Sequence, residues 1–149
     1  QINNLLQRFL QEYRPATSNT TVSLRILSTT DIHTNIMNYD YFQDKTVNSQ
    51  GLVKVSKLIE EARAEQPNTI LVDNGDTIQG SQLGSYKALV DKLEEGEVHP
   101  SIAAMNYLDY DAATYGNHEF NYGLEFLDEV TDDAAFPYIS ANVMDAQTK

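Results

Sequence analysis

Short apolar runs that each end in a polar, glycine-containing or Asp/His cluster recur along this chain, and their spacing restricts the fold more than any other feature. Val22 to Leu27 leads into Ser28-Thr29-Thr30-Asp31-Ile32-His33, Thr69 to Val72 into Asp73-Asn74-Gly75-Asp76, and Tyr110 to Tyr115 into Gly116-Asn117-His118-Glu119. Asp31, Asp76 and Asn117 are 45 and 41 residues apart, the length of a strand, helix, strand unit rather than of a sequence repeat. Parallel strands joined by a helix cross over with one hand, so their C-terminal ends open on the same edge of the sheet. Ligands of open α/β sheets bind at that edge, and a glycine there lets the backbone turn tightly and throw polar side chains into the crevice. The spacing therefore predicts an α/β fold with three sets of ligand atoms at one sheet edge.

The intervening segments carry helical periodicity. Leu52, Val55, Leu58, Ile59 and Ala62 recur at helical spacing between Gly51 and Pro67, residues 86–93 are weakly amphipathic, residues 94–97 break that pattern, and Ile102, Met105 and Leu108 mark a further helix over 100–108. Residues 123–130 place Leu124, Leu127 and Val130 on one side, residues 136–143 predict a fourth strand ending at Asn142, and residues 35–48 have no period and predict a long loop. Ahead of all this, Ile2, Leu5, Leu6, Phe9, Leu10 and Tyr13 predict an amphipathic helix closed by Pro15 and followed by a polar link, dividing residues 1–21 from a domain over 22–149. The chain begins with Gln1, which predicts a processed or excised piece of a longer protein.

Composition narrows the partners. With 22 Asp plus Glu against 10 Lys plus Arg, the formal charge of −12 argues against a footprint on a nucleic acid duplex or an anionic membrane. An acidic protein can still handle phosphate if bound cations reverse the field in its cleft. The chain has no Cys, so disulfides and thiolate metal sites are excluded. No apolar run approaches the ~20 residues that span a bilayer.

Asp31 and His33 flank one residue, and at an extended strand end side chains two apart point the same way, so a carboxylate and an imidazole could share one divalent cation. Taken singly, each cluster has a blander reading: a turn with a capping Asp and a surface His, an Asn-Gly-Asp turn, a loop with a capping Asn. Their common place at successive strand ends makes coincidence the poorer explanation. A calcium-type acidic loop is disfavoured, because its carboxylates would cluster within one loop. Oxygen and nitrogen donors suit Mn, Fe, Co or Zn. Phosphoryl transfer gains from two such ions ~3.5 to 4 Å apart, for which a bridging carboxylate is needed, and Asp76 is the central candidate. His118, next to a ligand, is the candidate for donating a hydrogen bond or proton to the phosphate or the leaving oxygen. His99, before Pro100 and outside any cluster, is expected to be a solvent-facing residue at a helix start.

Asp31-x-His33, Gly75-Asp76 and Gly116-Asn117-His118-Glu119 resemble the first three signature blocks of the calcineurin-like metallophosphoesterases. From about Val22 onward, Thr29 to His33, Asn38 to Tyr41, Val72 to Gly80 and Gly116 to Gly123 more closely resemble the 2',3'-cyclic-nucleotide 2'-phosphodiesterase/3'-nucleotidase branch of the 5'-nucleotidase family. The resemblance implies the first half of a four-layer α-β-β-α sandwich. It implies two divalent metal ions, with Asp31 and His33 on the first, Asp76 on both and Asn117 on the second, and His118 at the phosphate. It implies a nucleotide substrate, 2',3'-cyclic nucleotides opened to 3'-nucleotides and then hydrolysed to nucleosides, in the periplasm, cell wall or medium. Asn121 stands where the 5'-nucleotidase pattern usually has an Asp that partners the motif His; Asn cannot raise the imidazole's basicity as a carboxylate does, and it favours the cyclic-nucleotide branch. The family's later Gly-His-x-His block is absent from these residues. The resemblance therefore implies that the remaining catalytic domain and a C-terminal nucleotide-binding domain are partners, and that this chain alone is weakly active or inactive. The alternatives are a 5'-nucleotidase or UDP-sugar hydrolase, and a non-catalytic surface module that keeps the fold.

Overall fold

In the computed structural model the described residues are 21–94 and 96–144, so the expected helix over residues 2–13 lies outside them. Strands β1 (Arg25–Thr29), β4 (Thr69–Asp73) and β5 (Ala112–Ala113) form a parallel sheet in the order β1-β4-β5, and β2 (Tyr39–Asp40) pairs antiparallel with β3 (Lys45–Thr46) in a small hairpin. The helices are α1 (Leu52–Glu65), α2 (Gln82–Leu89), α3 (Pro100–Tyr107) and α4 (Leu124–Asp132), with a 3₁₀ turn at His118–Phe120. The α/β class and the parallel sheet are as the spacing predicted.

The register explains why the three clusters meet. Thr29 lies opposite Asp73, and Asp73 opposite Ala113, so β1, β4 and β5 end at the same edge. Beyond that edge the first two loops stay laced together. Asn74 N donates to Thr29 O at 2.8 Å, Asp31 N to Gly75 O at 3.0 Å, His33 N to Asp76 O at 2.9 Å and Thr34 N to Thr77 O at 2.7 Å. Central strand β4 supplies Leu71, fully buried, and the core continues through Ile78, Ile102, Met105 and Val130, each likewise without solvent exposure. Arg63 of α1 donates to Leu108 O and Asp109 O, both at 2.7 Å, placing a cation on the carbonyl end of α3.

Several expectations change. Residues 136–143 form no strand: Tyr138 makes only an isolated parallel bridge to Ala113, and Pro137, which has no N–H, contributes its carbonyl to Ala113 N. The expected loop over 35–48 contains the β2–β3 hairpin. Helix α2 starts ahead of residue 86, because Ser81 caps it by accepting from Gly84 N at 3.2 Å. His99 does stand at a helix start, but it is not solvent-facing. It is fully buried, its Nδ1 accepts from Ser101 N at 3.2 Å as the cap of α3, and its ring packs edge-on to Phe126. Burial, with the Lys87 ammonium adding to it, pushes its pKa down to about 4.

Candidate metal centre

The first loop leaves β1 and turns at once into left-handed backbone, with Asp31 at φ 54°, His33 at 50° and Thr34 at 57°. Asp31 and His33 were expected to share a side through extended geometry; they meet instead through this left-handed turn, held by the backbone bonds to Gly75 and Asp76. His33 Nε2 lies 3.6 Å from Asp31 Oδ1. On its other side His33 Nδ1 is 2.5 Å from Gln79 O, and since a carbonyl only accepts, Nδ1 carries the proton. That tautomer leaves the Nε2 lone pair facing Asp31, the arrangement typical of metal-ligating histidines. Gly80 (φ 129°) closes the back of the ring: a Cβ there would come within 2.6 Å of His33 Nδ1.

Asp76 is also left-handed, at φ 60°. Four non-glycine residues in this strained region within two adjoining loops cost of order 1–3 kcal/mol each and concentrate where a site is pre-organised. Ligand atoms of Asp31, His33 and Asp76 all fall within 4.8 Å of one another. Two carboxylate oxygens and an imidazole nitrogen so gathered fit a divalent cation of the Mn, Fe, Co or Zn type.

The third loop comes up against the second backbone to backbone. A Cβ on Gly116 would fall into the Asp76 carboxylate, and one on Gly75 into the backbone of Gly116. Asp76 Oδ1 accepts from His118 N at 2.9 Å, so Asn117, exposed and lying between Gly116 and His118, stands beside Asp76. The His118 ring lies 5.3 Å from the His33 ring, edge to face. Its Nδ1 is 2.7 Å from Asn121 Oδ1, so Nδ1 donates and Nε2 is left free. All five residues singled out in the sequence, Asp31, His33, Asp76, Asn117 and His118, are brought to this one edge.

Sequence reasoning assigned nothing to two carboxylates inside the same clusters. Asp73 is buried and accepts from Thr29 Oγ1 and Thr77 Oγ1, both at 2.6 Å, and from Gly75 N at 3.0 Å. Burial raises its pKa against these hydrogen bonds, and the nearby Glu119 charge adds to the rise. Tyr110 extends the network, its hydroxyl 2.9 Å from Thr29 Oγ1 and its pKa pushed up to about 12, chiefly by burial. Glu119 is fully buried behind Asp76 and Gly116. The signal for both was their place within the polar clusters; that they face inward was not visible in the pattern.

The family profile described as calcineurin-like phosphoesterase matches residues 24–146. The chain belongs to the calcineurin-like phosphoesterases. Among curated phosphoesterases it is 53% identical over 128 residues to the 2',3'-cyclic-nucleotide 2'-phosphodiesterase/3'-nucleotidase of Yersinia enterocolitica, covering 86% of this chain and 20% of that protein. It is 33% identical over 126 residues to the 5'-nucleotidase of Rattus norvegicus, covering 80% of this chain and 20% of that one. The crystal structure of the calcineurin-like phosphoesterase YfkN from Bacillus subtilis superposes with a TM-score of 0.73 at 52% identity, over 78% of this chain and 36% of that one. The chain thus spans about a fifth of the length of these two curated relatives. Among the described residues no helix is long and apolar enough to cross a membrane.

Proposed function

We propose that residues 22–149 are the N-terminal part of the catalytic domain of a metal-dependent phosphoesterase that opens 2',3'-cyclic nucleotides to 3'-nucleotides and then releases the nucleoside. The observation that carries this reading is the convergence of Asp31, His33 and Asp76 donor atoms within 4.8 Å of one another, with the His118 ring 5.3 Å from that of His33. Similarity to the Yersinia phosphodiesterase/3'-nucleotidase supports the substrate class. Asp31 and His33 would hold one divalent cation, Asn117 a second, and Asp76 would bridge. Bound there, such ions would lower the pKa of water and neutralise charge on the phosphoryl oxygens.

The chain's own residues do the rest. Gln79 O engages His33 Nδ1 and so leaves Nε2 for the site, and Asn121 Oδ1 engages His118 Nδ1 and so leaves that ring's Nε2 available. When protonated, that Nε2 donates to a phosphate oxygen or to the leaving oxygen, a role worth ~10² to 10⁴ in rate. Asn121 orients the imidazole without adding charge, which supports the cyclic-nucleotide branch over a plain 5'-nucleotidase. The reading places the reaction outside the cytoplasm, on the resemblance to that branch.

A chimera in which residues 22–149 replace the matching segment of the Yersinia relative tests this. The expected result is Mn²⁺-dependent hydrolysis of 2',3'-cyclic AMP and 3'-AMP that Asp76→Asn abolishes. A folded, soluble chimera with no activity would indicate a non-catalytic module, and a preference for 5'-AMP would move the assignment to the 5'-nucleotidases.

A further inference from the structure

Glu119 directly follows the residue placed at the phosphate, yet no solvent reaches it. Its Oε2 accepts from Asp76 N at 2.7 Å and from Gly116 N at 2.6 Å; its Oε1 accepts from Thr77 N at 2.5 Å and, at 3.4 Å, from Ile78 N. Among the described residues no lysine, arginine or histidine pairs with it. The buried anion is therefore stabilised by backbone N–H groups from two different loops, as charge-assisted bonds. One oxygen ties the residue that bears the Asp76 carboxylate to the residue preceding Asn117. The Asp76 carboxylate returns the tie by accepting from His118 N at 2.9 Å. Each loop thus offers a carboxylate to the other loop's backbone, and the left-handed backbone of Asp76 is held between them.

We infer that Glu119 is a positioning residue: acting only through backbone, its two oxygens set the distance from Asp76 to the Asn117-His118 pair and pre-form the cation site. The inference rests on the metal-binding reading above. A carboxylate that served folding alone could be replaced by any group that keeps the domain intact. A positioning carboxylate could not, because Gln presents an NH₂ group where two of the N–H donors need an acceptor. Supporting contacts around metal sites typically change affinity by ~10- to 100-fold when lost.

The test compares wild-type chain, Glu119→Gln and Glu119→Asp by Mn²⁺ titration, thermal melting and amide hydrogen exchange of Asp76, Thr77 and Gly116. The inference expects these three amides to be protected in the metal-free wild type. It expects Glu119→Gln, measured below its Tm, to lose that protection and bind Mn²⁺ at least about tenfold more weakly, and Glu119→Asp, which keeps both oxygens, to recover part of the loss. Wild-type Mn²⁺ affinity in a folded Glu119→Gln protein would overturn it. So would free exchange of the three amides in the wild type, a result that does not depend on any variant folding. Absence of Mn²⁺ binding by every protein, wild type included, would defeat the metal reading instead, and the amide protection would then decide the clasp by itself.

Discussion

At the scale of single residues, the site depends on backbone positions that accept no side chain and on histidines whose tautomers are set from behind. Gly116→Ala would push a methyl group into the Asp76 carboxylate, so we expect the variant to keep its circular dichroism spectrum and lose Mn²⁺ binding; unchanged affinity would refute the packing described. If His118 acts at the phosphate and not on a cation, as proposed, His118→Asn assayed in the chimera should lower kcat by ~10² to 10⁴ with little effect on Mn²⁺ affinity. His99 gives a pH dependence. Its folded pKa, about 4, lies below the ordinary histidine value near 6.5, so the folded state resists protonation. The neutral ring's contribution, of order 3 kcal/mol, is complete above about pH 6.5 and declines as pH falls toward 4. His99→Asn keeps a capping acceptor that does not titrate, so its Tm should change less than the wild type's between pH 7 and 4.5. Asp73 works in the opposite sense: its raised pKa favours the folded state as pH falls. The five candidate site residues were legible because donor types clustered at the ends of apolar runs, Asp76 directly behind Gly75 and Asn117-His118 behind Gly116. His99 misled because a histidine beside Pro100 gives no periodic sign of which way it faces, and Glu119 went unassigned because a carboxylate in a polar cluster looks solvated.

At the scale of elements, the clear cases were long or doubly signalled. Helix α1 was read from its period, and β1 and β4 from apolar runs that end in polar clusters. Short elements depend on tertiary context: β5 is two residues long, and the β2–β3 hairpin sits in a stretch with no period. Strand β4 lies between β1 and β5, and Leu71 at its centre is fully buried, so Leu71→Ala should destabilise the fold by ~2 to 5 kcal/mol in urea unfolding. Among the described residues β1 is an edge strand, and Val22, Leu24 and Ile26 on and before it are more than half exposed, with Leu58 of α1 62% exposed. An apolar edge of this kind favours association. Ile26→Lys should therefore lower dye binding by the isolated chain and its light scattering at high concentration, and unchanged scattering would mean that this edge is not the contact.

At the scale of the whole molecule, a strongly acidic chain uses its negative charge locally. Asp31, Asp76, Asp73 and Glu119 stand around one sheet edge, two facing the site and two buried behind it. A bound cation would relieve the repulsion among these carboxylates, so the same charge suits a metal-assisted phosphate site. The parallel sheet and its edge followed from the spacing of the clusters, whereas the inward carboxylates that brace the edge emerged only with the packing. The central claim is that three strand-end loops build one metal centre, and Mn²⁺ titration of the 149-residue chain followed by electron paramagnetic resonance tests it most directly. The account predicts saturable binding by the wild type that is lost in Asp76→Asn; equal uptake by both proteins, or none by the folded wild type, would contradict it.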